Sequence, residues 1–184
     1  MQPKRLLGIL ILLGVIATGM VSAQDAQPTT PFTPAISREI VSVLALGDAV
    51  FEPNAWLAGG QEYRDRTVVS WISDEVGGIA LAEYLHFDEG FNPADVNAFF
   101  NTDWFAAAFT DYDTWTQTAA CTDGSATLYE FTLTLMGVNY GVRYWIEPLP
   151  PTRILAMQIL FPQDQAELAA TYAARYKPAF AGCP

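Results

Sequence analysis

After Asp111 the chain settles into a period of two, and that rhythm constrains the fold more than any other feature. Across Thr127 to Met136, Tyr129, Phe131, Leu133 and Leu135 fall on one side, while Glu130, Thr132 and Thr134 fall on the other. Tyr140, Val142, Tyr144 and Ile146 then alternate with Gly141, Arg143, Trp145 and Glu147. Side chains of a strand point to opposite faces in turn, so this pattern belongs to a sheet with one face buried. Asp123-Gly124 and Gly137-Val138-Asn139 supply the turns. Thr114 to Cys121 forms an earlier strand. Arg153 to Phe161 is apolar at nearly every position and reads as a central strand or one covered on both faces. Pro148, Pro150 and Pro151 end the strand before it and permit a wider connection.

The first half of the chain is less regular. Arg66 to Ser73 (RTVVSWIS) is β-branched and aromatic, hence strand-like. Ile79 to Leu85 reads as its return strand past Gly77-Gly78, although its Ala and Glu leave a helix open. Ile40 to Leu46 fits a strand or a short amphipathic helix, because an apolar run alone does not separate the two. Ala58-Gly59-Gly60 reads as a loop. A helix is predicted from Pro93 to Phe109. Asn92 can cap it, Pro93 suits the first turn, and Asp95 favours the positive end of the dipole. Val96, Phe99, Phe100, Trp104, Ala107 and Ala108 share one face of that helix. Asp164 and Glu167 have capping-box spacing at the start of a last helix, on which Leu168, Tyr172 and Tyr176 face one side. The expected fold class is α+β: an antiparallel β-sheet with a central and a C-terminal helix packed on it.

The chain opens with Lys4-Arg5, an uncharged apolar stretch from Leu6 to Gly19, and Val21-Ser22-Ala23. That order is a secretory signal peptide, cut after Ala23. The stretch is short against the roughly 20 apolar residues a membrane span needs. The domain plan is therefore a signal peptide over 1–23, a flexible Pro/Thr-rich linker over 24–35, and one globular domain over 36–184. The expected location is secreted or extracytoplasmic, with no membrane span in the mature chain. Cleavage removes two of the 9 basic residues and none of the 20 acidic ones, so the net charge moves from −11 to 7 − 20 = −13. Phosphate backbones require clustered Lys and Arg, which argues against nucleic-acid binding.

Export also bears on Cys121 and Cys183. An even pair in an oxidising compartment invites a disulfide, here tying the tail to the start of the meander; two buried thiols are the alternative. His86 is the only histidine, too little for a triad or a zinc site without partners at defined geometry. No HExxH, paired CxxC or GxSxG pattern occurs, and no metal or cofactor is expected. Asp88-Glu89 with Asn92 and Asp95, and Asp111 with Asp113, are acidic loop clusters, but neither follows the spacing of a calcium loop. Of the five tryptophans, Trp56, Trp71, Trp104, Trp115 and Trp145, the last shares a strand face with Arg143 and Glu147. Either a second layer covers that face, or Arg143, Trp145 and Glu147 form a binding surface, since Trp and Arg are enriched at hot spots.

In its order of elements, the stretch from Leu128 through Tyr140-Gly141-Val142-Arg143-Tyr144, Thr152-Arg153-Ile154-Leu155 and the Asp164 helix resembles the C-terminal half of the PsbP-like group, which includes LpqN-like secreted proteins. The resemblance covers about half of the mature chain. It implies an α/β/α sandwich and a non-enzymatic adaptor or accessory role. A cystatin-like α+β fold shares much of the same order, and fold alone does not assign function. The expected function is a secreted binding or accessory module whose partner is a protein or small ligand of unknown identity. A hydrolase using carboxylates such as Asp88 and Glu89, or a carrier of a small apolar ligand, are the alternatives.

Overall fold

A computed structural model describes residues 38–184. The expected signal segment, the linker and the first two residues of the domain lie outside the described residues. The first helix, α1 (Arg38–Asp48), resolves the strand-or-helix ambiguity of that segment. Ile40, Val43 and Gly47 recur at helical spacing and are its buried residues. Then come β1 (Leu57–Glu62), β2 (Arg66–Ser73) and β3 (Gly78–His86), joined as antiparallel neighbours. A 3-10 turn (Pro93–Asp95) leads into α2 (Val96–Phe99) and α3 (Thr102–Ala108). The meander follows as β4 (Thr114–Asp123), β5 (Ala126–Leu135), β6 (Val138–Leu149) and β7 (Arg153–Pro162), and then come α4 (Ala166–Tyr176) and a final 3-10 turn (Pro178–Phe180).

All seven strands belong to one antiparallel sheet in the order β1-β2-β3-β7-β6-β5-β4. β7 occupies the centre, in keeping with its almost continuous apolar run, interrupted only by Gln158 after Arg153. Both faces of the sheet are covered. On one, α1 and α4 pack over Val69, Trp71, Ala82, Leu128, Trp145 and Met157. On the other, α2 and α3 place Val96, Phe100 and Phe105 against Phe131, Leu133, Tyr144 and Ile146. The protein is thus α+β, with its helices divided between the two faces of the sheet.

Three local expectations are corrected. The Ala58-Gly59-Gly60 segment is not a loop but part of edge strand β1, paired residue for residue with β2. The expected Pro93–Phe109 helix is broken: Phe100 leaves helical geometry, and Asn101 caps a new start by accepting hydrogen bonds from the amides of Asp103 and Trp104. The break rotates the apolar face, so Phe105 and Phe109 are buried while Ala107 and Ala108 are exposed. The capping box of Asp164 and Glu167 does not form, because a 3-10 turn (Gln163–Gln165) precedes α4 and no side chain caps it.

The Cys121–Cys183 disulfide is present, with Cα atoms 5.7 Å apart. It fastens the segment after α4 to β4, where it holds Phe180 over Trp145.

Candidate functional site

The meander and α4 leave an open groove of about 210 Å³ on the face they share. Its origin is compositional. Ala166 and Ala169 face it from the helix, and Gly141 and Thr132 form part of its floor, so the side chains there are too small to fill the gap. Thr118 joins it from β4, where the register with β5 slips between Gln117 and Ala119. Gln163, Phe161 and Ile159 line the remainder.

The charges of the groove are Arg143 and Glu130. The two sit directly opposite each other on β6 and β5. Arg143 Nε donates to Glu130 Oε1 at 3.3 Å, and the side chains keep 27% and 24% of their exposure. A half-buried pair of this kind resists screening better than an exposed one. Gly182, in the segment held by the disulfide, approaches both side chains: a Cβ built there would lie 3.4 Å from Glu130 Oε1. The groove can therefore offer a guanidinium, a carboxylate, two hydroxyls and a carboxamide against an aliphatic and aromatic wall.

Arg143, Trp145 and Glu147 do share a strand face, but they do not form one exposed surface. Trp145 is fully buried; its Nε1 donates to the Phe180 carbonyl at 2.8 Å and its ring meets Tyr176 at 5.1 Å. Glu147 accepts from the Tyr176 hydroxyl at 2.6 Å and pairs with Lys177 at 2.8 Å. Burial, then the neighbouring Glu147, drive the Tyr176 hydroxyl well above its ordinary range. The end of α4 and the tail are thus the second layer. Of the three residues, only Arg143 lines the groove.

The other singled-out residues take structural positions. His86 is half-buried, with Nε2 3.5 Å from Thr67 Oγ1, and burial with nearby Arg153 lowers its pKa. Asn92 caps the 3-10 turn by accepting from the Ala94 amide, and Asp95 belongs to that turn. Asp88 and Glu89 are exposed in the loop after β3. Asp113 accepts from the Met136 amide at 2.7 Å, which supports the positive-φ turn there. Among the described residues, no three His, Cys, Asp or Glu side chains are placed to hold a metal ion. Trp56 and Trp71 are buried in the aromatic core with Phe51 and Tyr172, and Trp56 Nε1 donates to the Tyr172 hydroxyl. Trp104 and Trp115 are half-buried against the other core.

Two charged residues of consequence were not singled out by sequence. Glu130 could have been, because a tight turn at Gly137 places it opposite Arg143. Glu83 is the other: a buried carboxyl in the middle of β3, on the face opposite the groove. Desolvation pushes its pKa up to about 7, against the attraction of Arg66.

The chain matches no protein-family model and no curated protein.

Proposed function

We propose that the chain is an exported, non-enzymatic binding or accessory module that takes its ligand in the groove between α4 and strands β4 to β7. The observation that carries this reading is the groove itself: a concave site whose wall holds a half-buried Arg143–Glu130 pair beside small residues. Its mixed donors and acceptors suit a polar ligand and weigh against an apolar carrier role. Export is supported by the Cys121–Cys183 bridge, a covalent link that oxidising compartments sustain. Among the described residues no helix is long and apolar enough to cross a membrane. Helices on both faces of the sheet support the α/β/α arrangement implied by the PsbP-like resemblance, and with it an accessory role.

The test is affinity enrichment on the immobilised mature protein, from culture medium and from detergent-solubilised cell envelope, scored for protein, lipid and glycan. A species enriched by the wild type and retained at least about 5-fold less by Arg143→Ala is expected, since losing a central Arg contact costs about 1–3 kcal/mol. No enriched species, or one indifferent to Arg143, would overturn the reading.

A further inference from the structure

Glu83 lies on the sheet face that α2 and α3 cover, away from the groove, with only 4% of its surface exposed. The elements around it supply few charges. In register it stands between Val68 of β2 and Ala156 of β7. Beside Ala156 on the same face β7 carries Ile154 and Gln158, both neutral. β6 contributes Tyr144, whose hydroxyl is itself held protonated by burial and by the nearby Glu83. α3 contributes Trp104, whose Nε1 is buried without a well-formed hydrogen bond. The formal charges acting on Glu83 are Arg66, at the start of β2, and Asp65 just before it.

Arg66 is divided between two environments. Its Nη1 contacts Asp65 Oδ2 at 3.4 Å, and its guanidinium carbon lies 5.2 Å from the Tyr63 ring centre. Its Nε is buried and has no hydrogen-bond partner. One end of the guanidinium therefore serves an exposed carboxylate while a buried N–H stands idle on the sheet face that also carries Glu83, a diagonal neighbour of Arg66 across the β2–β3 ladder. A buried donor without a partner is unfavourable, and an ionised Glu83 would satisfy it.

We propose that Glu83, Arg66 and Asp65 form a proton-controlled switch, in which protonated Glu83 leaves Arg66 to Asp65 and ionised Glu83 draws the Arg66 N–H inward. The proton leaves to solvent, and no other bond changes. Burial sets the switching point near neutrality, at about 7. The folded chain then keeps the Glu83 proton over a range in which an unfolded glutamate, at 4.5, has released it. Stability from this group is complete below pH 4.5 and is lost as pH rises through about 7. The full step corresponds to at most about 300-fold in the unfolding constant, the antilogarithm of the difference between those two values.

Urea midpoints followed across that pH range test the switch in the wild type, Glu83→Gln, Arg66→Met and Asp65→Asn. The wild type is expected to lose stability as pH rises, and Glu83→Gln to lose the step. Arg66→Met should move the step to higher pH, and Asp65→Asn to lower pH. In 13C-glutamate and 15N-arginine labelled protein, the Glu83 carboxyl and Arg66 Nε resonances should shift together. Equal slopes in the wild type and Glu83→Gln, or a Glu83 carboxyl that titrates in the ordinary glutamate range, would overturn the proposal. An Arg66 Nε resonance that stays still while Glu83 titrates would do the same. Should Glu83→Gln fail to fold, the wild-type resonances decide the matter alone.

Discussion

Gly47 shows how a single missing side chain can set a packing arrangement. A Cβ at this position would lie 1.9 Å from Trp71 Cζ2, so the indole can stack beneath α1 only because nothing is there. Gly47→Ala is expected to cost at least the 1–3 kcal/mol typical of overpacking, as a lower urea midpoint. Gly141→Ala, whose Cβ would meet nothing within 4 Å, should leave that midpoint nearly unchanged. A close approach of this kind is not legible in sequence, because it depends on which side chain the fold brings against the helix. Trp145 shows a different limit. Alternation identifies its face correctly, but what lies over that face is Phe180, 35 residues further along the chain. Glu83 was passed over for a third reason: one acid in the apolar run IALAEYL reads as a weakness in the strand assignment, whereas the fold makes it a buried carboxyl.

Elements show where periodicity suffices and where local chemistry intervenes. The four strands of the meander and the β2–β3 hairpin lie where alternation and turn residues place them, because a one-residue slip would put every apolar side chain on the wrong face. Strand β1 was not legible: LAGGQE carries little apolar signal, and its pairing comes from β2. The α2–α3 break was also missed, although Asn101 is a good capping residue inside a plausible helical run. Asn101→Ala should cost about 1 kcal/mol, readable as a fall in thermal midpoint, by removing the acceptor for the Asp103 and Trp104 amides. The disulfide is the strongest constraint at this scale. Its ends are 62 residues apart, so replacing both cysteines with serine should cost about 4 kcal/mol in the chain-entropy view. Equilibrium unfolding of the double variant against the oxidised wild type measures this. A loss under about 1 kcal/mol would mean the tail is held by Trp145 and Tyr176 rather than by the bridge.

At the scale of the molecule, the sheet is covered on both faces, yet α4 does not cover all of its own side. The exposed remainder becomes the groove, because Ala166, Ala169 and Gly141 stand where larger residues would have closed it. Fold class, the covalent staple and the central place of β7 were legible from periodicity and cysteine count. The groove was not, since it depends on where a helix stops short of a sheet. Only Arg143 among its residues was anticipated. The most direct measurement of its role compares enrichment by the wild type with enrichment by Gly141→Tyr, a substitution that fills the floor of the groove without a steric clash at Cβ. Both proteins should unfold at similar urea concentrations, and we expect the species bound by the wild type to be absent from the variant. Equal recovery of that species by the two proteins would contradict binding through the groove.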